Sequence, residues 1–372
     1  MATYKSPLHE MTCTTPTVLW NDSCSKSELT YAIEHGAVGA TANPVIVGTV
    51  LKQEMDQWRD RILDLIRDMP TATEDEIAWA VTELLSVAGS KPLLPSFRAS
   101  GGRNGRLSMQ TDPRFYRDPE RMVAHAVHFS QLAPNIVVKI PATDAGIVAI
   151  EEATYLGVSI NATVSFAVPQ TIAVAEAVER GLVRREQEGL DVESMGPVCT
   201  IMVGRLDDWL KIIANRDGII ADPEALEWAG VAAFKKAYRL YQERGYRLRL
   251  LSAAFRNHLH WSELIGGDVV ISPPHKWQVR FNNSDVTVAP RIETPVDPAI
   301  LAQLTKFPDF VRAYEEDGLS PSEFDSFGAT QRTLRGFLAG LNELREIVRD
   351  LMIPNPDIKS AIGPASGRQA RT

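Results

Sequence analysis

Eight short runs of β-branched and apolar residues recur along this chain, and they limit its fold more than any other feature. They occupy residues 17–22, 37–41, 105–111, 136–141, 157–164, 197–203, 247–254 and 268–272. Helical patterns fill the gaps between them. Ser25-Lys26-Ser27-Glu28 is a capping box, and the helix it opens runs to Gly36. Asp118-Pro119 and Asp222-Pro223 each place an N-cap ahead of a proline suited to the first helical turn. Residues 173–178 carry a helical period on to Gly181. Strands that alternate with helices form a parallel sheet, and eight such units are what a (β/α)8 barrel requires. The expected architecture is therefore α/β, a TIM barrel over residues 17–290 preceded by an N-terminal arm, 1–16. A helical insertion over 51–104 ends in the loop Ala99-Ser100-Gly101-Gly102-Arg103-Asn104-Gly105. A C-terminal helical extension, 291–353, packs on the barrel. A tail over 354–372, rich in Pro, Gly and Ser, is expected to be flexible.

Composition narrows the function classes. The 372 residues are 44% apolar and 23% charged, ordinary for a soluble globular protein. The formal charge is −8 and the basic residues form no long block, which argues against nucleic acid or an anionic membrane as partner. No apolar stretch reaches the length of a membrane span, and the N-terminus lacks the apolar region of a signal peptide. Cys13, Cys24 and Cys199 are the only cysteines and have no metal-ligand spacing, so the expected compartment is the reducing cytoplasm.

Within this pattern, NIVVKIPAT (135–143) stands out, because a lysine inside an apolar strand is costly unless it is paired or neutral. In a barrel of this kind the active site lies at the C-terminal ends of the strands. Those ends carry Asp22, Thr41 and Asn43, then Ser108, Gln110 and Asp112, then Lys139, Asn161, Thr163, Thr200 and Ser272; Arg205 and Arg256 follow strands six and seven. Taken singly, each has an ordinary reading. Lys139 could be a buried ion-pair partner, Asp22 a helix cap, Asn43 before Pro44 a turn residue, and each arginine a surface ion pair. Their convergence on one end of one barrel is the argument for a site.

The chemistry follows from the lysine. Burial lowers an amine's pKa, and a neutral amine attacks a ketone to form a Schiff base. The iminium is an electron sink for cleavage of the neighbouring carbon–carbon bond. Asp22 is placed to move the proton of a substrate hydroxyl, Gln110 and Thr163 to hold a water, and the two arginines to clamp a phosphate. No metal-binding cluster, P-loop or dinucleotide fingerprint is present, so no cofactor is expected.

These residues also carry a resemblance. LWNDSCSKSEL (19–29), GATANP (39–44), GRLSMQTDPR (105–114), NIVVKIPAT (135–143), GVSINATVSFAVPQ (157–170), VGRLDDW (203–209), AAFRN (253–257) and DVVISP (268–273) run in the order seen in transaldolases. The chain resembles the longer bacterial and plant-type branch of that family, within the class I Schiff-base aldolases. The resemblance implies a (β/α)8 barrel without metal or organic cofactor, sugar phosphates as substrates, and a possible homodimer. The implied reaction is transfer of a dihydroxyacetone unit from a ketose phosphate to an aldose phosphate, as in the non-oxidative pentose phosphate pathway. It assigns Lys139 as the Schiff-base lysine, Asp22 as acid/base, and Thr163 with Gln110 as the water-holding pair. Thr41, Asn43, Asn161, Thr200 and Met202 face the substrate, and Arg205 and Arg256 face its phosphate.

Three positions depart from the family pattern. Gln110 replaces a glutamate, as in fructose-6-phosphate aldolases; it can hold a water but cannot take its proton. Met202 replaces an aromatic residue. Ala254 replaces the serine of the phosphate motif, removing a hydrogen bond worth about 1–3 kcal/mol. The departures keep two alternatives open: a lyase that releases free dihydroxyacetone, and a catalytically idle binding protein.

Overall fold

A computed structural model describes residues 4–357. Each of the eight expected runs yields one strand: β1 (Val18–Asn21), β2 (Ala37–Ala42), β3 (Arg106–Gln110), β4 (Ile136–Pro141), β5 (Ile160–Ser165), β6 (Val198–Ile201), β7 (Arg249–Ser252) and β8 (Val270–Ile271). All pair in parallel in chain order, and β8 closes on β1, so the expected (β/α)8 barrel is the observed one. The tail expected to be flexible lies, from residue 358 onward, outside the described residues.

Side-chain alternation along each strand separates two apolar layers. The larger lies between the strands and the surrounding helices and includes Val138, Ile140, Ala162 and Cys199. The smaller fills the barrel itself: Trp20, Val137, Val198, Leu251, Ala253 and Val270. Trp20 fits only because β2 supplies Gly39, where a Cβ would come within 2.4 Å of the indole. Along β4, Val137 points inward and Val138 outward, so a period of two carries Lys139 back inside.

The barrel floor is not aliphatic. Arg106 and Arg249 begin β3 and β7, are 3% and 6% exposed, and meet backbone oxygens from the loops beneath the strands. Arg106 donates to the carbonyls of Gly102 and Ser194 at 2.6 and 2.7 Å. Arg249 donates to the carbonyl of Arg103 at 2.8 Å and to Asn104 Oδ1 at 3.1 Å. Burial, and then neighbouring positive charge, pulls both guanidinium groups down to about 10. The glycine-rich loop 99–105 thus serves as a carbonyl-lined seat for two buried cations.

The segment after β2 forms the helices Pro44–Asp68 and Glu74–Ser90. Thr73 caps the second with a complete capping box. The last long helix, Gly328–Met352, lies across both, held by the ion pairs Arg345–Asp75 and Arg349–Glu74 at 2.7 Å each. Partly exposed pairs of this kind contribute little, and apolar burial by Leu341, Leu344 and Val348 carries the packing. Among the described residues no helix is long and apolar enough to cross a membrane.

Candidate active site

A cavity of about 270 Å³ opens at the C-terminal end of the barrel. Asp22, Asn43, Lys139, Thr163, Thr200, Met202, Arg205 and Arg256 all line it, eight of the residues expected from sequence. Three others do not line it. Gln110 and Asn161 flank Lys139 in register on β3 and β5, and Thr41 pairs with Ser108. Asn161 is fully buried and spends both ends of its amide on neighbours. It donates to Ser108 Oγ at 2.9 Å and accepts from Thr200 Oγ1 at 2.7 Å, so it holds a wall residue in place. Gln110 Oε1 is buried without a partner among the described residues. Asn43 does double duty, because its Oδ1 caps the helix Pro44–Asp68 by accepting from the Ile46 amide at 2.9 Å.

The lysine is the group with the least settled environment. It is 6% exposed, and among the described residues no hydrogen bond or ion pair satisfies its amine. Burial pulls its pKa below the ordinary 10.5, and the Asp22 carboxylate opposes that only in part. Asp22 mirrors it: burial raises its carboxyl above the ordinary 3.8, with Lys139 opposing. Each group is therefore biased towards its neutral form, the state in which a lysine is a nucleophile and a carboxyl can donate a proton.

Backbone geometry at the rim is unusual at two places. Val164 and Ala254 have φ of 54° and 65°, in the left-handed region that a β-branched residue such as valine rarely enters. Val164 lies where the β5–β6 register shifts, directly after Thr163. Ala254 follows β7 and faces the cavity. Its carbonyl is packed so closely on Gly204 that a Cβ there would come within 2.1 Å of the oxygen. A buried pair underlies this loop. His260 Nδ1 accepts from the Arg256 amide at 3.0 Å, which leaves Nε2–H to donate to Asp207 at 2.7 Å.

The two arginines differ. Arg256 is spent on its surroundings: Nε and Nη2 donate to Asp208, the shortest contact being 2.8 Å, and Nη1 donates to the carbonyls of Ala254 and Phe255. Arg205 stands in the first turn of the helix Val203–Asp217, and its buried Nε has no partner among the described residues. Burial, then the charge of Arg256, lowers its pKa.

Sequence reasoning missed Lys276, Gly336 and Phe337, which also line the cavity. Lys276 is the second residue of the helix His275–Asn282, after Pro273-Pro274, and that rigid dipeptide was the available signal. Gly336 and Phe337 come from the C-terminal helix and carry no motif. Gly336 faces open space where a side chain would intrude on the cavity.

Known proteins match this sequence. Residues 19–324 match the family described as Transaldolase/Fructose-6-phosphate aldolase. Transaldolase 1 of Streptomyces avermitilis is 32% identical over 235 residues, 60% of this chain and 61% of that protein. The transaldolase of Mycobacterium marinum is 33% identical over 217 residues, 55% of each chain. That of Thermobifida fusca is 31% identical over 256 residues, 64% of this chain and 66% of its own. The chain thus spans about three fifths of the length of the curated relatives it matches. The family match extends from β1, through the lysine strand and both arginines, into the segment that precedes the C-terminal helix, and on that basis the chain belongs to the transaldolase/fructose-6-phosphate aldolase family.

Proposed function

We propose that this chain is a transaldolase that works through a Schiff base on Lys139. The observation that carries the reading is an amine buried inside the barrel, unpartnered among the described residues, facing a cavity that it shares with Asp22. In the proposed cycle the neutral amine attacks C2 of a ketose phosphate. Loss of water leaves the iminium. Asp22, as carboxylate, takes the proton from the C4 hydroxyl while the C3–C4 bond breaks and its electron pair moves into the iminium. The products of that step are an enamine and an aldose phosphate three carbons shorter. The enamine carbon then attacks the carbonyl of an acceptor aldose phosphate, Asp22 returns its proton to the new alkoxide, and water hydrolyses the iminium. Thr163 and Gln110 hold that water; Asn43 and Thr200 bond the donor's hydroxyls, with Asn161 and Thr41 supporting the wall behind them. Met202 packs beside Thr163, whose hydroxyl lies 3.9 Å from its sulfur. Arg205 and Arg256 stand at the phosphate end. On this reading the enzyme works in the cytoplasm, in pentose phosphate metabolism.

Borohydride reduction with fructose 6-phosphate, followed by peptide mapping, tests it. A reduced three-carbon adduct on Lys139 is expected, and turnover is expected to require an acceptor such as erythrose 4-phosphate. Absence of an adduct with every ketose phosphate tried would overturn the proposal. Steady release of free dihydroxyacetone without acceptor would assign the lyase reaction instead.

A further inference from the structure

We propose that Lys276 is a specificity-determining residue for the substrate's phosphate and takes over the place left by the missing hydroxyl at Ala254. The inference rests on the transaldolase reading of the same cavity. Three cations line this end: Arg205, Arg256 and Lys276. Arg256 is neutralised by Asp208 and has a single N–H left over from its five donors. It acts as a fixed strut more than as a free clamp. Ala254 contributes only a methyl group. What remains is Arg205, with a buried and unpartnered Nε, and Lys276, an exposed residue of the cavity rim whose ammonium meets no carboxylate within ion-pair distance among the described residues. The charges also match. A phosphate monoester carries about −1.5 to −2 at neutral pH, and the two unpaired cations supply a balancing pair while Arg256 and Asp208 cancel. Backbone groups assist. The helices Val203–Asp217 and His275–Asn282 both begin at this rim without a side-chain cap, which leaves first-turn amides free of side-chain partners for an anion. Pro273-Pro274 restricts the backbone just before Lys276, whose residue lines the cavity.

The lysine should therefore act on phosphate recognition and leave the chemical step alone. In Lys276→Met, KM for fructose 6-phosphate is expected to rise about tenfold or more, with kcat within twofold of the parent. The apparent Kd for inorganic phosphate, measured by calorimetry, should weaken by a similar factor, while borohydride trapping of non-phosphorylated dihydroxyacetone is unchanged. Lys276→Arg should retain most of the affinity, and adding Ala254→Ser to Lys276→Met should recover part of it. Unchanged phosphate affinity in Lys276→Met, or an equal loss with the non-phosphorylated donor, would overturn the assignment. Failure of the parent protein to form any adduct would instead strike the transaldolase reading, because the inorganic phosphate titration needs no turnover.

Discussion

The barrel holds buried cations at both ends, and they are treated in opposite ways. At the floor, Arg106 donates to two carbonyl oxygens, and Arg249 donates to a carbonyl and a side-chain amide with Asp268 3.8 Å away. At the mouth, Lys139 is as deeply buried but faces only the cavity and a carboxyl that is itself biased towards neutrality. Burial of charge alone therefore does not mark a site. The satisfied arginines behave as structural pegs that tie the loops 102–104 and 192–195 to the strands. The unsatisfied lysine is held at a cost, because its neighbours do not solvate its charged form.

Removing each kind of cation should separate the two roles. Lys139→Met is expected to lower turnover by on the order of 10⁴-fold or more, measured with a coupled assay. Its thermal midpoint should rise, because an apolar side chain of similar length replaces a desolvated amine. A fall in the midpoint would mean that the lysine is stabilised as the arginines are, and the contrast would collapse. Arg106→Met should do the reverse. It leaves the carbonyls of Gly102 and Ser194 buried and unmet, so unfolding in urea should show about 2–4 kcal/mol of lost stability. Its kinetic constants should stay within twofold of the parent.

The smallest effect is also the sharpest. Since burial lowers the pKa of Lys139, the unfolded chain holds this proton more tightly than the folded one, and stability must rise with pH between the folded value and 10.5. The stabilisation gained by Lys139→Met should therefore be largest at acid and neutral pH and shrink towards pH 10.5. The rate of borohydride trapping in the parent should rise with pH and level off well short of 10.5. A trapping curve that keeps climbing to that value would show an ordinary, solvated lysine.

Legibility in the amino-acid sequence divides along the same line. Strand positions are legible because a period of two decides which face a residue takes, so VVKIP already places Lys139 inside. The floor is not legible. Arg106 and Arg249 look like surface charges until closure of the barrel puts β3 and β7 on opposite sides of one interior. The helix-borne wall is equally hidden, since Gly336 and Phe337 reach the cavity by tertiary packing that no local pattern encodes. Asn161 shows a subtler limit. Its spacing sets it beside Lys139, but only the hydrogen bonds to Ser108 and Thr200 reveal that its amide is already committed.

The helix Gly328–Met352 has a consequence for how the protein is made. The strand with Lys139 leaves the ribosome well before β8, which must find β1 to close the ring, and earlier still than Phe337, which covers the cavity. Until those later segments arrive, the amine is bathed in water and keeps its proton as any surface lysine does. The bias of Lys139 towards its neutral form is therefore acquired only when the barrel closes, and before that its amine reacts with ketoses and aldehydes no faster than any solvated lysine.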